Sequence, residues 1–147
     1  MSQSFVMAES YFSRSANALE EAREQAKKAN YPESISASQM SMEFSMKAIF
    51  LYFDESYPKS HELKDEDLTR VLKKVPEELN YVNLPRLLML TQFWSSFYII
   101  AKYGYEKSMV GPEKLFNQGE SQLAIKHAEE CNSGAFQIKA WRMGHLS

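Results

Sequence analysis

Apolar residues recur at intervals of three, four and seven positions along most of the chain, which is the spacing of residues on one face of an α-helix. The first such run covers residues 4–30. Its two seam positions hold Phe5, Phe12, Leu19 and Ala26, and Ala8, Ser15, Ala22 and Ala29. Because the second set is small, we expect a neighbouring helix to approach closely on that side.

The second run, residues 32–56, lies between two corners that contain proline. Pro32 suits the first turn of a helix, where its missing N–H removes no hydrogen bond, and Tyr57-Pro58 supplies the stop. Apolar residues cover much of its circumference: Ile35, Ala37, Met42, Phe44, Met46, Ala48, Ile49, Phe50 and Phe53. The pattern predicts a central helix, antiparallel to the first, with neighbours on more than one side.

Three further helices are predicted. A short one follows Asp65-Glu66-Asp67, whose charges suit a helix N-terminus, and stops at Pro76. The fourth covers residues 83–102, and the fifth begins at Pro112-Glu113 and nears its end at Gly134. We expect residues 105–110, between two glycines, to form a loop, and the periodicity of residues 136–147 assigns that tail to no element.

These runs together predict the fold class. No segment alternates apolar and polar residues with the period of a strand, so we expect an all-α, up-and-down helical bundle of about five helices. At 147 residues the chain is long enough for one well-buried domain without disulfides. We therefore assign residues 1–147 to a single domain, with residues 5–132 as its core.

The fourth run is apolar on two faces, and a helix of that kind needs two partners. One face fits the core of the bundle. For the other we expect a second subunit, because soluble monomers rarely leave a wide aromatic stripe bare. The homodimer predicted in this way has Leu90, Phe93, Phe97 and Ile100 in its seam.

Composition narrows the class of protein. Seventeen Lys and Arg residues stand against nineteen Asp and Glu, a net charge of -2, so no overall positive charge favours binding to DNA or RNA. The longest apolar run is too short for a transmembrane helix. Cys131 is the single cysteine and no charged-apolar-small leader opens the chain, so we expect the cytoplasm as its compartment.

Candidate chemistry is sparse. His127 and Cys131 have the four-residue spacing of two metal ligands on one helix face, but two ligands do not make a zinc site. The sequence contains neither a Ser-x-Gly elbow nor a glycine-rich phosphate loop. We therefore predict no metal site, no cofactor and no enzymatic activity of the chain on its own.

Five residues are candidates for ligand binding, each with a structural alternative. Glu43 and Lys47 either hold a ligand, with the lysine on a phosphate, or form an ion pair within the helix. His61 is either an acid, base or phosphate donor, or fixes the turn through a backbone hydrogen bond. Lys102 and Tyr103 either belong to the site or cap a helix C-terminus.

The order and spacing of three short motifs resemble the HEPN domain family. They are Glu43-x-x-x-Lys47-Ala48, Tyr57-Pro58-x-x-His61-x-Leu63 and Lys102-Tyr103-Gly104, the last with lysine where many members have arginine. The resemblance covers about residues 5–132. It implies a small helical bundle, commonly a homodimer, found in prokaryotes beside minimal nucleotidyltransferases.

Many HEPN proteins are ribonucleases that carry an arginine and a histidine four to six residues apart near the end of the fourth helix. In this chain the closest such pair is Arg142 and His145, with only two residues between them. The resemblance therefore implies the non-catalytic branch: a homodimeric module that binds a nucleotide or a nucleotidyltransferase in a groove beside the second and fourth helices. The alternative hypothesis is an RNA-cleaving enzyme with a displaced acid/base set such as His61 and Lys102.

Overall fold

A computed structural model describes residues 2–59 and 63–145. Six α-helical segments follow one another in this part of the chain, five of them eight or more residues long: α1 Gln3–Lys27, α2 Tyr31–Tyr52, α3 Asp65–Leu72, α4 Leu84–Ser95, α5 Tyr98–Tyr103 and α6 Gln118–Met143. Short 3-10 turns cover Glu77–Val82, Glu106–Ser108 and Pro112–Lys114. The described residues contain no β-strand beyond one isolated bridge, Tyr105 to Val110. The predicted all-α helical bundle is confirmed.

Helix α2 is the centre of the bundle, as its wide apolar surface predicts. It packs most extensively against α1 and α6, and α4 and α5 lie along another of its sides. The fully buried side chains of α2 include Ile35, Met42, Met46, Ile49 and Phe50. The positions of α1, α4, α5 and α6 are therefore set by their contacts with α2.

Small residues bring α1 and α2 close together, also as expected. Ala8, Ser15 and Ala22 are fully buried on α1. The Ser15 hydroxyl donates to the Ser41 carbonyl at 3.0 Å and lies 2.6 Å from the Ser45 hydroxyl. Hydrogen bonds between hydroxyls replace aliphatic packing at this contact, which keeps the buried polar atoms paired.

The first two helices end earlier than the sequence suggested. Helix α1 ends at Lys27 rather than Asn30, since Ala29 has a φ of 61°. Helix α2 ends at Tyr52 rather than Ser56, since Asp54 has a φ of 57°. In both cases one residue in the left-handed region breaks the helix before the proline corner or stop.

The single helix predicted for residues 83–102 is wrong. Helix α4 ends at Ser95 and α5 begins at Tyr98. At the junction the Ser96 hydroxyl donates to the Phe93 carbonyl at 2.6 Å, and the Phe97 N–H donates to the Trp94 carbonyl at 3.0 Å. A serine side chain that competes for a backbone carbonyl, together with the tighter backbone bond, interrupts the ladder.

The last helix is shifted towards the C-terminus relative to its prediction. Pro112 opens only a 3-10 turn, whereas Asn117 and Glu120 form a capping box at the start of α6. The helix continues through Gly134 to Met143, so much of the unassigned tail is helical. Gly134 lies within the helix, where a Cβ would come within 2.5 Å of the Leu87 Cδ1 of α4.

None of the helices in the described residues is long and apolar enough to cross a membrane. The assignment of residues 1–147 to one domain stays a prediction.

Candidate functional site

A groove runs between α2 and the segment that joins α4 to α5. Its volume is about 520 Å³, and we call it the α2–α5 groove; it is lined by Gln39, Met40, Glu43, Phe44, Lys47, Ser95, Tyr98 and Ile99. The five residues from α2 are spaced by one, three, one and three positions, which places them on one face of the helix. The groove therefore lies beside the second and fourth helical runs, where the ligand site was predicted.

Glu43 and Lys47 stand next to each other on the wall of this groove. The Lys47 Nζ lies 3.7 Å from the Glu43 Oε1, and the two side chains are 30% and 25% exposed. At that distance the contact is an ion pair rather than a hydrogen bond, and pairs of this spacing contribute about 0.2–0.5 kcal/mol to a helix. Glu43 and Lys47 therefore form the ion pair within the helix that was the structural alternative, and both side chains also reach the groove.

Gln39 holds the carboxylate of Glu43 from the other side. Its Nε2 donates to the Glu43 Oε2 at 3.2 Å, and Gln39 itself is buried. The Glu43 side chain is thus fixed between an amide donor and an ammonium group. A fixed carboxylate is better suited to directional recognition than one that moves freely in solvent.

A second cleft, of about 400 Å³, shares Glu43 and Lys47 with the groove. We call it the Tyr57 cleft; it is lined by Met7, Tyr11, Glu43, Lys47, Leu51, Ser56, Tyr57, Pro58 and Lys59. Burial, with the charge of Glu43 as a smaller cause, raises the pKa of Tyr57 above its ordinary value. The two shared residues form a wall between the groove and the cleft, which we call the Glu43–Lys47 ridge.

Aromatic rings and cations cluster beside this ridge. The rings of Tyr11 and Phe44 stack with their centroids 6.0 Å apart. The Arg14 Cζ lies 5.0 and 4.5 Å from these two centroids, and the Lys47 Nζ lies 5.5 and 5.9 Å from them. Two cations over aromatic faces give this part of the surface a positive charge with an apolar floor.

Sequence reasoning missed Tyr11 and Arg14. Their spacing of three residues repeats in Phe44 and Lys47, which is the signal that each helix carries an aromatic–cation pair on one face. That the two pairs meet follows from the register of α1 against α2.

Neither Lys102 nor Tyr103 belongs to the lining of the α2–α5 groove. The Lys102 Nζ is 5.6 Å from the ring centroid of Tyr98, which does line the groove, and 5.4 Å from that of Tyr103. His61 lies outside the described residues. Of the five predicted ligand residues, the structure thus places Glu43 and Lys47 in the lining of the groove, and Lys102 beside one ring that lines it.

The seam predicted for a homodimer needs one correction. Leu90 is only 4% exposed and is buried within its own chain, because α4 turns that side towards its neighbours. Phe93 is 50% exposed, and its ring contacts that of Phe97 at 5.3 Å between centroids. Phe93, Phe97 and Ile100 remain at least partly accessible.

His127 and Cys131 have separate structural roles. The Trp94 Nε1 donates a hydrogen bond to the His127 Nδ1 at 2.9 Å, and burial lowers the pKa of His127. Cys131 is buried, which raises the pKa of its thiol to about 12. Across residues 2–59 and 63–145, no cluster of three or more histidine, cysteine or acidic residues is arranged to hold a metal ion.

The fold and the groove define a small helical-bundle protein with an open, amphipathic site on its central helix. Comparison with known proteins identifies the family: the model of the HEPN domain matches residues 8–132. The chain belongs to the HEPN domain family, as its motifs indicated.

A solved structure is similar to this fold. The crystal structure of TT1696 from Thermus thermophilus matches with a TM-score of 0.66 at 16% sequence identity, over 89% of this chain and 97% of that one. At this identity the likeness shows the shared fold. No curated protein matches this chain.

Proposed function

We propose that this HEPN protein is a homodimeric binding module that holds a nucleotide in the α2–α5 groove. The observation that carries the proposal is the pairing, in one groove, of aromatic walls with the ammonium group of Lys47. A volume of about 520 Å³ also falls within the range of about 300–1,000 Å³ that small-molecule sites occupy.

The chemistry of the lining matches the parts of a nucleotide. Phe44 and Tyr98 contribute aromatic surface against which a base can pack, and base–aromatic stacking contributes about 1–3 kcal/mol per base. Lys47 offers a point charge for a phosphate group. Gln39 and Ser95 add polar groups that can orient the ligand.

The homodimer rests on the apolar surface of the α4–α5 segment. Phe93 is half exposed and stacks edge to face with Phe97, so the two rings form a firm apolar patch. A second copy of this chain is the occupant we propose, through an isologous contact of the patch with itself. Leu90 takes no part in this contact, since it is buried within one chain.

Titration calorimetry with AMP, GMP, CMP and UMP tests the proposal, with inorganic phosphate as a separate titrant. We expect saturable binding of at least one nucleotide, and we expect Lys47→Met to weaken it about ten-fold, the effect of losing one charge-assisted contact. Lys27→Met is the matched control, because Lys27 also forms a surface ion pair on a helix, with Glu24. If none of the four nucleotides binds saturably, the proposal is contradicted.

RNA cleavage stays an untested prediction. The described histidines are occupied elsewhere: His127 with Trp94, and His145 stacked on Trp141 with 4.5 Å between ring centroids. A nucleotidyltransferase partner also stays a prediction of the family resemblance. A cleavage assay on single-stranded RNA with the same protein preparation tests the first, and co-purification with the nucleotidyltransferase encoded nearest to this chain tests the second.

A further inference from the structure

The indole ring of Trp94 lies beneath the apolar patch of the α4–α5 segment. Trp94 is only 3% exposed, and its ring contacts those of Phe93 and Phe97 with 5.3 and 5.9 Å between centroids. Phe93 and Phe97 also contact each other, so the three rings form one cluster at the end of α4, which we call the Trp94 cluster. The position of the buried indole therefore helps to set the shape of the exposed patch.

A hydrogen bond joins this indole to α6. The Trp94 Nε1 donates to the His127 Nδ1 at 2.9 Å. Because an indole N–H can only donate, the Nδ1 must offer its lone pair, and His127 must be the neutral tautomer with its proton on Nε2. A protonated imidazole carries an N–H on both nitrogens and cannot accept a hydrogen bond. The bond between the two rings therefore exists only while His127 is neutral.

We propose that this hydrogen bond is a latch operated by protons: protonation of His127 breaks it, releases the Trp94 cluster and weakens the homodimer. This inference rests on the proposed homodimer and adds its regulation by pH. In acid the Nδ1 lone pair becomes an N–H that faces the N–H of Trp94, and a positive charge arrives at the positive edge of the indole ring. The two rings, whose centroids are 6.1 Å apart, must then rotate or separate, which changes the support of Phe93 and Phe97.

The surroundings of His127 set the pH range of the latch. Burial is the largest cause that lowers the pKa of His127, and the charges of Arg86 on α4 and Lys126 on α6 act in the same direction. Glu130 on α6 acts in the opposite direction. Its carboxylate is already held by Arg86, whose Nε and Nη2 donate to its two oxygens at 3.0 and 3.2 Å. The latch is therefore closed at neutral pH and opens in acid.

Sedimentation measures the dissociation constant of the dimer at about pH 7.5 and at about pH 5, on either side of the ordinary range of a histidine. If both chains must lose a proton, the constant can rise up to about a hundred-fold for each pH unit below the pKa. We expect a rise of at least about ten-fold for the wild type and of less than about three-fold for His127→Gln, because glutamine can accept the indole N–H but does not titrate. His145→Gln is the matched control, since His145 stacks on the other tryptophan, Trp141. It should behave as the wild type does.

NMR spectroscopy of the wild-type chain observes the latch directly and needs no variant of His127 to fold. The indole N–H signal of Trp94, told apart from that of Trp141 by comparison with Trp141→Phe, should shift with a midpoint below pH 6.5, the ordinary pKa of histidine. Circular dichroism at each pH establishes that the helices are intact.

Three outcomes would overturn the inference and leave the proposed dimer standing. They are a dissociation constant that changes by less than about three-fold in the wild type, an equal change in His127→Gln, and a Trp94 signal that does not move before the helices unfold. A mass of one chain for the wild type at about pH 7.5 would instead overturn the homodimer, and this inference with it.

Discussion

Two buried serines should respond in opposite directions to the same substitution. Ser15 and Ser38 are both fully buried at the centre of the bundle. The Ser15 hydroxyl donates to the Ser41 carbonyl, lies 2.6 Å from the Ser45 hydroxyl and accepts from the Asn132 Nδ2 at 3.2 Å. The Ser38 hydroxyl has no hydrogen-bond partner among residues 2–59 and 63–145.

The magnitudes follow from what each hydroxyl leaves behind. Ser15→Ala leaves buried partners unpaired, which costs about 1–3 kcal/mol, and the better helix propensity of alanine offsets at most about 0.5 kcal/mol. Ser38→Ala removes a desolvated, unpaired hydroxyl whose burial costs about 1–3 kcal/mol, and it gains the same propensity. We therefore expect Ser15→Ala to lower the free energy of unfolding by about 1–2 kcal/mol and Ser38→Ala to raise it by about 1–2 kcal/mol.

Urea denaturation followed by circular dichroism measures both values, provided that the slope of the transition is unchanged. In a thermal melt each kcal/mol corresponds to about 2–4 °C for a chain of this length. A loss of stability in Ser38→Ala would show that its hydroxyl is paired, and a change below about 0.5 kcal/mol in Ser15→Ala would show that its hydrogen bonds contribute no more than those of a surface residue. Either result would refute the reasoning from buried polar pairing.

Three further predictions concern the dimer, a titration and a turn. Phe93→Asp should reduce the mass in light scattering from two chains to one, whereas Phe136→Asp, similarly exposed on α6, should leave it unchanged; a one-chain mass for the wild type would contradict the dimer. Burial lowers the pKa of His127 in the folded state, so protonation of this ring favours the unfolded state. His127 therefore contributes stability above its ordinary pKa of about 6.5, and this stability is lost as the pH falls below that value. Denaturation at a series of pH values should show the loss in the wild type, and a loss of equal size in His127→Gln would assign it to other groups. Gly104→Ala should lower the free energy of unfolding by at least about 1 kcal/mol, since Gly104 has a φ of 68° and a Cβ there would press on the Val110 carbonyl. Gly119→Ala, in the first turn of α6, is the control. Equal melting midpoints for the two variants would exclude this strain.

The sequence predicts the helices well because a period of about 3.6 residues is a local property. It does not predict the break at Ser96 and Phe97, because the helical spacing of apolar residues resumes in register on both sides of the two serines. The start of α6 was misplaced because Pro112 is an acceptable first helical residue, whereas the capping box of Asn117 and Glu120 is the stronger signal.

The residues of the candidate site divide in the same way, into those placed by one helix alone and those placed by the packing of two helices. Glu43 and Lys47 are one turn apart on one helix, so their proximity is fixed by α2 alone. The approach of Arg14 to Phe44 depends on how α1 slides along α2, and the burial of Leu90 depends on how α4 rotates about its own axis. Neither the register nor the rotation is encoded in the spacing of residues within one helix.

The Glu43–Lys47 ridge makes the groove and the Tyr57 cleft thermodynamically dependent on each other. Both are lined by the same ammonium group, and one lysine cannot neutralise two anions at full strength. An anionic ligand in the cleft must therefore weaken an anionic ligand in the groove, and reciprocity requires the same factor in the opposite direction. If both places bind anions, the ridge thus couples them with negative cooperativity within one chain, with no movement of the backbone.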